Sequence, residues 1–260
     1  MKESIRQKLK KITLLKLMFI AGKTLHNKYG LFSKSRALFS FFKDYSKYKS
    51  LANNKNFLLS TSDLYPRLFD NTETTKVDPV YFYQNTWCAK KIFEAKPTHH
   101  YDVGSSAEFI GIVSQFVPTT MVDIRPLLVS LPSLFFKEGS ILKLPFADKS
   151  LSSLSSICVI EHIGLGRYGD TLDPYGSEKA CFELIRVLSH NGSLYISVPV
   201  DISNKVYFNA HRAFTREYVL SLFSTLTLVE EQYLYGNTLY EIYDATKGFG
   251  TGFFQFVKNK

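Results

Sequence analysis

The chain has 260 residues, 45% of them apolar and 21% charged, an ordinary globular balance that can bury a core as one large domain or as a domain with an N-terminal extension. Its net charge of +9 is concentrated at one end: residues 1–50 hold thirteen Lys or Arg against Glu3 and Asp44, while the rest hold nineteen against twenty-one acids, so nucleic-acid binding by the body gets no support. Three cysteines (Cys88, Cys158, Cys181) lie far apart with no C-x-x-C pair, which argues against a disulfide framework or a zinc site and suits a reducing, cytoplasmic compartment.

Residues 1–50 read as a basic helical extension with a break at Tyr29-Gly30. Within it Lys10 to Ala21 is apolar, but too short and too charged to span a bilayer. Lys16 splits the run and no A-x-A-like site follows, which argues against a signal peptide. Two readings stay open: a basic amphipathic helix lying on an anionic membrane or a partner, or a solvated helix packed on the rest of the chain. Residues 51–98 read as a connector and a helix covering a cleft. Asn53-Asn54, Ser60 to Asp63, Pro66, Asp70 to Thr72 and Pro79 are turn and cap residues, and Tyr81 to Glu94 forms a helix ended by Lys96-Pro97.

From residue 99 to the end the pattern becomes strand, helix, strand. His100 to Val103 is a first strand, Phe109 to Phe116 a helix, Thr120 to Ile124 a second strand, Ser140 to Leu142 a short third and Ser155 to Ile160 a fourth. A helix over Ser177 to Leu188, a turn at His190 to Gly192 and a strand over Ser193 to Val198 follow. Thr215 to Phe223 reads as a capped helix and Thr227 to Tyr235 as another strand. Strands alternating with helices at this spacing predict βαβ units, a mostly parallel sheet and helices on both faces.

In such a sheet the ligand sits beyond the carboxyl ends of the strands. Gly104, directly after the first strand, permits a sharp turn and close backbone approach, with Ser105 and Ser106 opening the next helix and Asp102 at the strand tip placed to accept from a cationic amine. Asp123 falls about twenty residues on, at the end of the second strand, where a carboxylate can accept both hydroxyls of a ribose. Alternatively it caps the next turn, paired with Arg125.

Leu144-Pro145-Phe146-Ala147-Asp148-Lys149-Ser150-Leu151 and Ser156 to Ile163 with its Glu161-His162 pair resemble the "LPF-x-D-x-S … LEH-I" stretch of class I S-adenosylmethionine-dependent methyltransferases. Glu183 to Leu194 and Asn209 to Tyr218 are similar to their "E-x-x-RVLKPGG-x-L" and "H-x-R-x-[FY]-[ST]-x-E" segments. The order and spacing match over roughly 140 residues. The longer string Glu161 to Pro174, with Val198-Pro199 and Phe208 to Arg212, resembles the branch known as domain-of-unknown-function family 268. The resemblance implies a Rossmann-like, mostly parallel seven-stranded sheet and S-adenosylmethionine as cofactor, held by Asp102, Gly104, Ser105, Ser106, Asp123, Ile124, Ile141, Leu142, Cys158 and Val159. It also hints at a sugar or polysaccharide acceptor in bacterial surface-glycan synthesis. The sequence departs from the pattern in places: D-x-G-x-G-x-G is here Asp102-x-Gly104-x-Ser106-x-Glu108, the acid often found after the third strand is Ser140, and the Asp of "SFD" is Ser152. Glu108 weakens cofactor binding if it points inward and costs nothing if it faces solvent at the helix start.

For acceptor chemistry His162, just past the fourth strand, and His211 are candidate bases. Arg212 is a candidate clamp for an anionic acceptor. Tyr168, Asp170 and Asp173 lie in a glycine-rich insertion, Gly164 to Gly176, placed to overhang the acceptor as a lid. His162 has a second reading, as a structural part of the motif bonded to backbone. Three functions stand at this point: O-methylation of a saccharide or sugar-nucleotide at the inner face of the membrane, a degenerate non-catalytic module in glycan assembly, and methylation of a lipid or quinone. No metal is expected.

Overall fold

The computed structural model describes residues 30–51, 54 and 56–259; the Lys10 to Ala21 stretch lies outside the described residues. The chain divides between Lys76 and Val77 into two units. In the first, helix α1 (Leu31–Leu51) starts directly after Gly30 and carries Lys34, Arg36, Lys43, Lys47 and Lys49 beside exposed Phe32, Phe39 and Phe42. A single turn at Thr61–Asp63 is capped by the Ser60 hydroxyl, which accepts from Ser62 N at 3.2 Å. Among the described residues, no helix is long and apolar enough to cross a membrane.

The second unit begins with α2 (Pro79–Ala95), two residues earlier than the hydrophobic pattern suggests, because Asp78 caps it by accepting from Val80 N and Tyr81 N. Then follow β1 (His100–Val103), α3 (Ala107–Val113), β2 (Thr119–Asp123), β3 (Leu134–Glu138), β4 (Leu151–Ile157), α4 (Gly176–Val187), β5 (Leu188–Val200), β6 (Lys205–Tyr207), β7 (His211–Ala213), α5 (Arg216–Leu222), β8 (Thr227–Tyr235), β9 (Thr238–Tyr240) and β10 (Gly250–Val257). Helix α2 joins this unit rather than a separate connector ending at residue 98, because its Trp87, Cys88 and Ile92 are buried with Phe109, Ile110, Tyr195 and Phe253.

Eight strands form one sheet in the order β3-β2-β1-β4-β5-β10-β8-β9, one more than the expected seven, because β9 folds back on β8. The pairs from β3 through β5 are parallel; β10 runs antiparallel to both β5 and β8. Alternation along the strands sorts the core into two layers. Leu194, Ile196, Phe254 and Phe256 pack with α4 and α5 through Ala180, Leu184, Val219 and Phe223, whereas Tyr195 and Phe253 face α2 and α3. The strand order reverses between β1 and β4, which opens a crevice at their carboxyl ends.

Two strands differ from expectation. The third is Leu134–Glu138, not Ser140 to Leu142; the latter forms a tight turn in which Ser140 bridges Lys143 and Ile141 is buried. Strand β5 runs through the expected turn at His190 to Gly192, which becomes a bulge: β4 pairs Leu151 with Leu188 but Ser153 with Ser193, and Asn191 takes φ +58.

Candidate active site

The crevice is built from the tips of β1, β2 and β4. At the end of β1 the chain turns at Gly104 (φ +75), whose N–H still donates to Val122 O at 2.9 Å. A Cβ there would meet Val159 Cγ1 at 3.0 Å, so the turn leaves a cradle that only glycine keeps open. Ser106 caps α3 through its hydroxyl, accepting from Phe109 N. Ser105 donates to Asp102 Oδ2 at 2.6 Å and accepts from Ile157 N at 2.9 Å, tying the β1 loop to β4.

Asp102 is fully buried and lines neither cavity at the crevice. Its carboxylate accepts from Ser105 N, the Ser105 hydroxyl and the Ser155 hydroxyl, the last at 2.5 Å. Burial pushes its pKa up to about 6 against those three bonds. The expectation that it accepts from the cofactor amine is therefore corrected: Asp102 shapes the loop from beneath. Glu108, whose direction the sequence left open, is exposed in the first turn of α3 and lines neither cavity.

The first cavity, about 700 Å³ including its open mouth, brings Gly104 and Asp123 together with Ile124, Ser140, Ile141, Leu142, Cys158 and Val159. These come from four separate stretches of sequence. Aliphatic side chains make up much of its lining, with Asp123, Arg125, Ser140, His162, Tyr168 and Asp170 as its polar members. Asp123 is 9% exposed; it accepts from Arg125 N at 2.8 Å, Arg125 Nε at 3.1 Å and Arg125 Nη2 at 3.2 Å. The capping arrangement with Arg125, left open by the sequence, is thus the one adopted, and one acceptor position of the carboxylate stays unused.

The second cavity, about 1600 Å³ including its mouth, shares Gly104, Asp123, Arg125, Cys158, His162 and Tyr168 with the first and adds Ser105, Ser106, Glu161, Arg167, His211 and the first turn of α2 with Asp78 and Tyr81. Gln84 of the same helix pins this wall: its Oε1 accepts from the Cys158 thiol and the Ser197 hydroxyl, both at 2.9 Å.

His162 lines both cavities. Its Nδ1 lies 2.7 Å from Ala210 O; a carbonyl only accepts, so Nδ1 carries the proton and Nε2 presents a lone pair. Burial, opposed by that bond and aided by nearby Arg167, lowers its pKa to about 4. The ring is neutral at physiological pH but a feeble base, and the backbone-bonded role is the one observed. His211 reaches only the second cavity, packed against Tyr207 and Phe249, its pKa lowered by burial and then by Arg167.

The insertion is a braced loop. Tyr168 lines both cavities with Arg125 and Arg167 over its ring at 5.0 and 5.1 Å. Asp170 touches the first cavity, but its carboxylate accepts from Gly164 N, Gly166 N and Tyr168 N. Asp173 lines neither cavity; it accepts from Tyr175 N at 2.9 Å and Lys179 Nζ at 2.6 Å. Arg212 is 8% exposed and donates to Ile163 O, Asp173 O, Pro174 O and the Ser177 hydroxyl. The expectations for Asp173 and Arg212 as acceptor ligands are corrected on these contacts: both are consumed in closing the loop.

Sequence reasoning missed Arg167 and Glu161. Glu161 sits on a single helical turn, Ile160–His162, is 2% exposed, and its Oε2 has no hydrogen-bond partner. Burial pushes its pKa up to about 8. The signal was an acid following the apolar run Ile157 to Ile160, a position where an unpaired carboxyl is costly. Among the described residues no cluster of His, Cys, Asp or Glu could hold a metal ion.

The family model described as "Caenorhabditis protein of unknown function, DUF268" matches residues 144–233. No curated protein matches the chain. Among solved structures, a protein from Galdieria sulphuraria assigned as a sarcosine dimethylglycine methyltransferase is similar at 14% identity, over 68% of this chain and 86% of that one, with a TM-score of 0.52. The N-methyltransferase NodS from Bradyrhizobium japonicum WM9 gives 14%, 74%, 100% and 0.51 in the same order. The [4+2]-cyclase SpnF gives 12%, 67%, 81% and 0.50. The branch and the Rossmann-like methyltransferase fold that the motifs indicated are both supported. At these identities the likeness is one of fold, and SpnF warns that the fold alone does not select a reaction.

Proposed function

We propose that this chain is an S-adenosylmethionine-dependent methyltransferase that methylates a hydroxyl of a small molecule, a saccharide or sugar-nucleotide being the acceptor class. The observation that supports it most is the joint lining of one slot by Gly104 and Asp123. The aliphatic walls of Ile124, Ile141, Leu142 and Val159 suit an adenine ring, Asp123 suits a ribose hydroxyl, and the glycine cradle leaves room for the nucleoside sugar. When bound, the cofactor supplies an electrophilic methyl on a sulfonium. The protein's part is alignment and desolvation: Cys158 and His162, on the wall between the two cavities, limit the passage between them, and the Tyr168 loop shields it from water. The second cavity then takes the acceptor.

The test is calorimetry with S-adenosylhomocysteine, followed by mass spectrometry of glycan and lipid extracts incubated with the protein and S-adenosylmethionine. Micromolar binding and a gain of one methyl (~14 Da) on the glycan fraction are expected, as micromolar ligands are usual for enzyme sites. The same gain on the lipid fraction alone would move the acceptor to a lipid or quinone. A second reading, a non-catalytic module, is favoured by the Arg125 side chain already lying on Asp123; absence of binding would select it.

A peripheral membrane role for residues 1–50 belongs to the same proposal. The full chain is expected to co-sediment with phosphatidylglycerol vesicles in low salt and a chain lacking residues 1–50 to stay in the supernatant; equal sedimentation of the two would remove the role.

A further inference from the structure

Among the described residues three buried side-chain oxygens lack a partner, on Glu161, Glu178 and Tyr195, and of these residues only Glu161 lines a cavity of the crevice. Asp102, buried beside the same crevice, has three donors on its carboxylate; Glu161 Oε2 has none, and its residue lines the second cavity. Its other oxygen, Oε1, lies 3.6 Å from His162 Nε2, too long for a hydrogen bond, and the donors that bear on this carboxyl are its own backbone N–H and the Cys158 thiol. A buried polar atom without a partner is rare in a folded protein and points to a ligand that completes it. The surroundings indicate which ligand. Asp123 neutralises Arg125, and the Asp78 carboxylate is bound by Val80 N and Tyr81 N. That leaves Arg167, whose Nη1 donates to Ala210 O at 3.0 Å and whose charge bears on Glu161, His162 and His211 alike. A cation there opposes a protonated amine and favours an anion.

We propose that Glu161 is the catalytic base of the acceptor subsite and that Arg167 holds an anionic group of the same acceptor, so that the substrate class is a hydroxyl compound bearing a phosphate or a carboxylate. This rests on the methyltransferase reading above. The hydroxyl proton passes to Glu161 Oε2 while the acceptor oxygen forms a bond to the methyl carbon. The carbon–sulfur bond breaks with its electron pair going to sulfur, which becomes a neutral thioether, and Glu161 afterwards releases the proton to solvent. His162 is poorly suited to this task, because its pKa near 4 makes it a weak proton acceptor.

The pH dependence follows. Glu161 acts only when ionised, and burial holds its pKa at about 8, so turnover should rise with pH up to about 8 and level off above it. The other groups that share its cavity do not produce that limb. Burial keeps the Cys158 thiol and the Tyr81 phenol protonated there, His162 and His211 are already neutral, and the hydrogen bond to Asp123 raises the pKa of Arg125 further.

The experiment uses the full chain with S-adenosylmethionine and four probes: glucose 1-phosphate, glucuronate, glucose and glycine. Transfer to glucose 1-phosphate or glucuronate, whichever is preferred naming the anion, should exceed transfer to glucose and glycine. Glu161→Gln should lower kcat by about 10²–10⁴, the range of a lost general base, and flatten the pH profile, with unchanged S-adenosylhomocysteine affinity and a melting temperature at or above that of the wild type. Arg167→Ala should raise KM for the anionic probes at least about tenfold, as for loss of a charged contact, and raise KM for glucose far less. Retained activity with an unchanged pH profile in Glu161→Gln overturns the base, and equal losses on neutral and anionic probes in Arg167→Ala overturn the clamp. Transfer only to glycine, or to no probe while S-adenosylhomocysteine binds, overturns the acceptor class. Failure of the wild type to bind S-adenosylhomocysteine overturns the methyltransferase reading itself.

Discussion

Arg212→Ala is expected to lower the stability of the sheet unit by about 3–5 kcal/mol, the range seen when a buried, multiply bonded charge is deleted and its partners are left unpaired. The guanidinium spans two parts of the insertion: it donates to Ile163 O at 2.6 Å on the entering side and to Asp173 O at 3.1 Å, Pro174 O at 3.3 Å and the Ser177 hydroxyl at 3.1 Å on the leaving side. The loop has no easy way to compensate. Gly164 sits at φ +82 with Asp173 O only 2.1 Å from where a Cβ would lie, and Gly176 is packed as closely on Ile163 O, at 2.4 Å. Without Arg212, Ile163 O and Pro174 O lose its N–H groups and Asp173 O keeps only Gly176 N, in a space too tight to repack. At ~2–4 °C per kcal/mol for a unit of this size, the melting temperature should fall by about 10 °C. Arg212→Lys, with one compact ammonium in place of a planar fork, should recover only part of the loss. A variant that melts like the wild type but loses affinity for anionic acceptors would reinstate Arg212 as an acceptor ligand.

The same residue marks where sequence reading runs out. The segment from Asn209 to Phe214 could be matched to a motif, but the partners of Arg212 are backbone carbonyls 38 to 49 residues away and a serine 35 residues away, and carbonyls carry no residue signature. The parallel strands were legible from the alternation of strand and helix segments and from the bounding Gly104, Pro118 and Ser150, not from apolar content, since β4 holds four serines in seven residues. Strand β3 was not. As the edge strand it leaves Phe135, Lys137 and Glu138 exposed, so no clean alternation marks it, while Ile141 looked like a strand residue because its turn is buried. Asp102 and Asp123 read alike as strand-end acids. Only the structure separates them: the serines of β4 and of the β1 loop draw Asp102 inward, and nothing in β3 does the same for Asp123. Glu161 lay within a quoted motif, yet its lack of a partner is a property of the cavity and not of any spacing.

Asp123→Ala is expected to weaken S-adenosylhomocysteine binding by about 100-fold, and Arg125→Ala to leave it unchanged or up to about fivefold tighter; the opposition of the two is the point of the experiment. A carboxylate offers about four acceptor positions, and three are taken by Arg125 N, Nε and Nη2. A ribose diol needs two, so the Nη2 contact must give way. The Arg125 side chain is 60% exposed, and an ion pair so open to water is worth ~0–1 kcal/mol, whereas each hydroxyl donated to a buried carboxylate contributes ~1.5–3 kcal/mol. The sugar therefore displaces the Nη2 contact while Nε stays on Oδ1, and removing the arginine only spares that small cost. The backbone N–H of residue 125 remains in Arg125→Ala, so Asp123 keeps its orientation while its outer face is freed. If instead both variants lose binding to the same extent, Asp123 and Arg125 act as one bracket that shapes the β2 turn. The nucleoside would then have no grip at that strand tip, and the non-catalytic module would become the better account of this chain.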